Sequence, residues 1–299
     1  AEGVTDISMG ILAPEKRGIL DLMREPLGAF DPPGFVTPDA ASITRFSFRF
    51  DKVYDLLREV AAVLPEEEGK QFSAGLDQGV NLVKPGLDSL GPAVDMVGTL
   101  RLPLAQDSQM TLFAIEVKDQ ETVSNTLAFF ASQAQGMAES REFEGNTVYT
   151  VELAKMSVGL GFHRLFIGPT PAVENAMRLA GRTDAPRMSG EESFKAATRG
   201  FSSDGVMQSF SDTSQALRWS YWTLQNAENI AEAQIDAAGL EPDQKEEILK
   251  RVREQRPKWL EKLPPLESLL RHIGNSASEM HPTPDGFRGR TLMLRPAPN

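Results

Sequence analysis

From Ile43 to Phe50 the chain alternates, with Phe46, Phe48 and Phe50 on one side and Arg45, Ser47 and Arg49 on the other, the period of a half-buried strand. Immediately afterwards the period changes. Behind Asp51, a residue suited to capping, Val53, Leu56, Leu57, Val60 and Leu64 recur at helical spacing, and Pro65 closes the run. The same order returns at Met110 to Val117, followed by Asp119 and then Val123, Leu127 and Phe130. It returns more weakly at Gly205 to Phe210, followed by Asp212 and then Leu217, Tyr221 and Leu224. Three strand-Asp-helix units predict a repeated topology, and their unequal spacing argues against a tight solenoid.

Between the second and third units lie runs suited to antiparallel pairing: Arg141 to Glu144, Thr147 to Leu153, Met156 to Phe162 and Leu165 to Gly168. Gly145-Asn146 supplies a hairpin turn and His163-Arg164 a less suitable one. Thr170 to Ala180 reads as a helix with Pro171 in its first turn and Gly181 at its stop. From Asp212 to about His272 the pattern is helical, broken near Gly239, Pro257 and Pro264-Pro265, and Ser276 to Leu294 reads as a hairpin turning near Asp285-Gly286. The expected class is α+β, a mainly antiparallel sheet with helices layered on one face, repeated strand-helix units and a helical C-terminal region. We divide the chain into an irregular, Pro- and Gly-rich lead-in over 1–40, with a short helix from Arg17 to Met23, an α+β sub-domain over 41–185, and a helix-rich α+β sub-domain over 186–299.

Several function classes are disfavoured by composition. The net charge of −11 disfavours nucleic acid as a partner. No apolar run approaches the ~20 residues a bilayer-spanning helix needs, so the chain is expected not to span a membrane. Cysteine is absent, which removes disulfides, thiolate metal sites and cysteine nucleophiles together. The start at Ala1-Glu2-Gly3, without an initiator Met, raises the expectation that a leader or an upstream domain has been removed.

Four stretches carry a family likeness: Arg17 to Leu22, Pro32 to Val36, Glu144 to Tyr149 and Pro282 to Gly286. On these the chain resembles the C-terminal half of large exported bacterial proteins of unknown function, of the kind found in planctomycete genomes. The resemblance implies a location beyond the inner membrane, in the periplasm or at the cell surface. The motifs are turn and packing signatures and transfer no catalytic residue.

Reactive constellations are sparse. His163, His272 and His281 are too far apart in sequence to form a paired metal site; His163 reads as a turn residue and His272 as a cation near a helix C-terminus. Glu66-Glu67-Glu68 lacks the rest of a calcium loop and reads as a solvated loop. Gly159-x-Gly161 sits inside an extended run, where close backbone approach or a bulge explains it better than phosphate binding. Ser211-Asp212-Thr213-Ser214 reads as a strand end and helix cap, and a scattered triad using His281 is the remaining hydrolytic arrangement. We therefore assign no catalytic, cofactor-binding or metal residue and expect no cofactor.

The most unusual local feature is Trp219, Tyr221 and Trp222 on one helical stretch, with Trp219 and Trp222 sharing a side. They are either packing residues between the sheet and the C-terminal helices or an aromatic contact surface for a partner. The leading expectation is a non-enzymatic extracytoplasmic module contacting another protein or an envelope component. The alternatives are a soluble small-ligand carrier and a hydrolase with scattered carboxylates.

Overall fold

The computed structural model describes residues 4–13, 18–134, 136–239, 241–255 and 257–294, which leaves Ala1-Glu2-Gly3 and Arg17 outside the described residues. The α+β class holds. Among the described residues eleven strands form one antiparallel sheet in the order β1-β11-β10-β9-β2-β3-β4-β8-β7-β6-β5. These are β1 (Val4–Leu12), β2 (Ala40–Ser47), β3 (Leu90–Leu100), β4 (Gln109–Val117), β5 (Glu139–Phe143), β6 (Asn146–Val151), β7 (Met156–Gly161), β8 (Arg164–Pro169), β9 (Met207–Ser211), β10 (Ser276–Thr283) and β11 (Gly286–Leu294). The helices are α1 (Val53–Val63), α2 (Glu66–Asp88), α3 (Gln120–Gln133), α4 (Thr170–Ala180), α5 (Glu192–Ala197), α6 (Thr213–Gln225), α7 (Ala227–Ala238), α8 (Pro242–Gln255) and α9 (Leu266–Leu270).

The repeat is a topological one. β2 leads through α1 and α2 to β3 and then β4, while β9 leads through α6 to α9 to β10 and then β11. The two sets stand back to back, because β2 and β9 pair antiparallel from Ser42 opposite Ser211 to Phe46 opposite Met207. One sheet therefore runs through both the 41–185 and 186–299 stretches. The unit starting at β4 is of another kind, since α3 leads into the β5–β6 hairpin at the far end of the sheet.

Helices lie on both faces of the sheet rather than one. In β4, Leu112 and Ala114 face a core with Val173, Ala176 and Met177 of α4, whereas Ile115 and Val117 face Val123 of α3 and Leu87 of α2. Strand alternation sends these neighbours to opposite sides, so a strand apolar at nearly every position needs two covers. The close seating of α4 explains Gly159, and the neighbouring strand β6 explains Gly161. A Cβ on Gly159 would stand 2.4 Å from the Met177 sulfur, and one on Gly161 would meet Asn146.

Several expectations need correction. Residues 4–12, assigned to an irregular lead-in, form β1 in unbroken register with β11, and the helix expected from Arg17 is a 3-10 turn over Gly18–Leu22. Glu66, Glu67 and Glu68 are the first turn of the 23-residue α2 rather than a loop; acidic side chains are favoured there by the helix dipole. Of the three expected caps, Asp119 accepts from Thr122 N and Asp212 from Ser214 N and Gln215 N. Asp51 caps nothing, because Arg49 takes it as an ion pair at 2.9 Å. The hairpin turns fall one residue earlier than expected, at Glu144-Gly145 and Phe162-His163, all at positive φ. β3 escaped the reading altogether, since Gly91, Pro92, Asp95 and Gly98 disguise it.

Candidate interaction surface

Among the described residues, both outer strands of the sheet carry backbone N–H and C=O groups that no neighbouring strand takes up, and proteins usually guard such edges with charge, proline or a bulge. β5 is guarded: Glu139, Arg141 and Glu142 are exposed along it. β1 is not. It contains no Lys or Pro, its nine-residue register with β11 has no bulge, and Asp6 is occupied by Arg290 at 3.0 Å. Every described side chain from Thr5 to Leu12 is exposed. Ile7, Met9 and Ile11 fall on one face by alternation, and Met293 of β11, opposite Thr5, extends the same apolar strip. Met9 is 66% exposed. The period-two signal Ile7-x-Met9-x-Ile11 was present in the sequence and was hidden by the Pro/Gly-rich stretch that follows it.

The aromatic trio lies elsewhere. Trp219 and Trp222 stack at 5.2 Å between ring centroids, 20° from parallel, and the Tyr221 hydroxyl donates to the Pro264 carbonyl at 3.2 Å. All three are half-buried, and α6 has no buried residue. Tyr221 thus ties α6 to the segment leading into α9, with Arg218 and Glu267 paired alongside at 3.5 Å, while the two tryptophans stack on each other within α6. The cavity beside α6, about 200 Å³, lies against α7 and α8, away from the sheet. A second, of about 250 Å³, lies between Phe35, the ends of β3 and β4 and the start of α4, with Val97, Leu112 and Ala172 among its apolar walls.

The charged groups inside the fold are spent on one another. Asp95, Arg45, Gln208, Glu279 and Arg290 stand opposite one another in successive strands, forming one polar row across the sheet. Asp95 is fully buried; Arg164 Nη1 donates to it at 2.7 Å and Arg45 Nε stands 3.5 Å away. Burial pushes the Asp95 carboxyl up, and the two guanidiniums pull it back. Gln208 Nε2 donates to the carbonyls of Gly28 and Ser202, stitching the lead-in to the sheet.

His281, the centre of the one conceivable triad, places Nε2 3.1 Å from Glu279 and Nδ1 3.0 Å from Asp204. The Ser202 hydroxyl donates to Asp204, not to the imidazole, and is the chief cause that holds the Asp204 carboxyl below its usual range. A nucleophile needs the base within reach of its own hydroxyl; here the hydroxyl is committed to a carboxylate. His163 sits in the β7–β8 turn and His272 just past α9, as expected. Among the described residues no group of three or more His, Asp or Glu side chains is placed to hold a metal ion.

No family model and no curated protein matches the chain. Two solved structures of TP0453 do. Crystal form III aligns with a TM-score of 0.41 at 12% identity, covering 91% of this chain and 82% of that one. Crystal form I aligns at 0.40 and 12%, covering 91% and 81%. A likeness of that size is silent on function. Among the described residues no helix is long and apolar enough to cross a membrane.

Proposed function

We propose that this protein is a non-enzymatic extracytoplasmic module that contacts another protein or an envelope component along the β1 edge of its sheet. The observation that carries the reading is the unguarded strand: free backbone groups beside the exposed Ile7, Met9 and Ile11. Strand addition uses such an edge, main-chain hydrogen bonds supplying affinity and alternate side chains supplying selectivity. The extracytoplasmic assignment is supported by the resemblance of Glu144 to Tyr149 and Pro282 to Gly286 to exported bacterial proteins. The non-enzymatic assignment is supported by the commitment of Asp95, Glu279 and Asp204 to internal partners.

The test is site-specific photocrosslinking in the source cell. A photoreactive residue at Met9 should give a discrete adduct in the fraction outside the cytoplasm, lost when Ile7→Lys is added, while one at Glu142 on the guarded edge should give none. Equal labelling from both edges, absence of an adduct at Met9, or recovery of the protein in the cytoplasm would each overturn the reading.

A further inference from the structure

At the opposite end of the sheet from β1, a cleft of about 370 Å³ lies between the start of α3 and the β5–β6 hairpin. Its volume falls within the ~300–1,000 Å³ of small-molecule sites. One wall is Gln120, Glu121, Ser124 and Asn125, which share a helix face by their spacing. The other is the hairpin: Gly145, at φ +72° with nothing within 4 Å of where a Cβ would be, leaves the rim open beside Asn146 and Thr147. The floor is made by Leu160 and the half-buried ring of Tyr149. Thr147 and Tyr149 alternate along β6 with the buried Val148 and Thr150, which turns them to the α3 side.

Apart from Asn146, the polar side chains that line this cleft are unspent. Asn146 donates its amide to the Glu144 carbonyl at 2.8 Å. Among the described residues, the side chains of Gln120, Glu121, Ser124, Asn125, Thr147 and Tyr149 have no hydrogen-bond or ion-pair partner. On the opposite face of the hairpin, under α4, side chains are paired, with Arg141 on Glu174 and Arg178 on Glu144.

The geometry points to a binding site for a neutral saccharide. Two carboxamides, from Gln120 and Asn125, each present donors and an acceptor side by side, and three hydroxyls and one carboxylate complete the set. Vicinal hydroxyls of a sugar are both donor and acceptor at matching separation, so one carboxamide or carboxylate engages two of them. The apolar C–H face of the ring would lie on Tyr149, as amphipathic ligands lie on aromatic side chains. Other ligand classes fit worse. Among the described residues no Lys, Arg or His lines the cleft, and Glu121 repels negative charge, so an anionic ligand is disfavoured. Leu160 and one ring offer too little apolar surface for a lipid chain.

The site is independent of the β1 reading, and its test does not use that edge. The intact protein would be screened on an array of neutral, anionic and cationic oligosaccharides, and the strongest neutral one titrated by calorimetry. We expect a neutral saccharide to bind with Kd of about 0.1–1 mM, the range of a few net hydrogen bonds. Asn125→Leu, at an exposed position, should weaken it at least tenfold with an unchanged circular dichroism spectrum. Tyr149→Phe should retain most of the binding that Tyr149→Ala loses, and Met9→Lys should leave it unaltered. Silence across the neutral oligosaccharides, a preference for anionic or cationic ones, or full binding by Asn125→Leu would overturn the proposal.

Discussion

Asp95 shows what a single residue contributes when its environment is assembled from distant parts of the chain. It is fully buried in β3, and its two arginines arrive from β2 and β8, fifty and sixty-nine positions away. Removing one member of a buried ion group leaves charge without compensation, which costs ~3–5 kcal/mol. Asp95→Ala is therefore expected to lower stability by about that amount in urea denaturation followed by circular dichroism. A change below about 1 kcal/mol would show that Arg45 and Arg164 find other partners or water. Nothing near Asp95 in sequence announces this: Gly91-Pro92 and Gly98 on either side of it mask the strand. Asp212 is the contrary case, because its role depends on the amides two and three residues further on.

At the scale of elements, local chemistry was legible wherever partners are close in sequence. α4 was delimited at Thr170 and Ala180 by its proline, its apolar stripe and its glycine. The β5 to β8 meander was legible from alternation and turn residues, with the two assigned turns, β5–β6 and β7–β8, displaced by one position. The caps divide by the same logic. Asp212→Ala should cost ~1 kcal/mol in thermal or urea melts, whereas Asp51→Ala, at a residue held by Arg49 and capping nothing, should cost ~0.5 kcal/mol or less.

The cap of α3 also carries a pH dependence. The Thr122 hydroxyl, and then its backbone N–H, hold the Asp119 carboxyl below its usual range. An acid depressed in the folded state stabilises above its ordinary range, and the contribution is lost as pH falls through the folded value. Melting temperatures recorded from about pH 6 down to about pH 3 should fall less steeply in Asp119→Ala than in the parent. Parallel curves would show that this cap is not coupled to the stability of the fold.

The whole molecule is unevenly consolidated. α4 alone buries Ala172, Val173, Ala176 and Met177 against the sheet. Among the described side chains α6 and α9 bury none, and α7 and α8 bury only Ile235 and Leu249. Segments with few buried contacts open locally at a lower free energy than the core. Amide hydrogen exchange is accordingly expected to be faster over residues 213–270 than over β2 to β4 and α4, by at least an order of magnitude in protection. Uniform protection would mean that the helical arm is held by contacts as cooperative as those of the sheet. The stack of Trp219 on Trp222 then belongs to the arm's own cohesion, which is why the aromatic cluster, the loudest signal in the sequence, marks neither the centre of the core nor the most exposed surface.

By itself the sequence determined the α+β class, most of the strands and helices, two of the three caps and the absence of thiol chemistry. Each depends on periodicity or on partners within a few residues. The tertiary structure decided that β2 and β9 join the two repeats into one sheet, that helices cover both faces, and that Asp95 is matched by Arg45 and Arg164. It also decided which edge is left unguarded and that the first two turns of α3 meet the β5–β6 hairpin around unspent polar groups. Those outcomes depend on which strands become neighbours. Alternation says which way a side chain points along its own strand, but not what stands beside it.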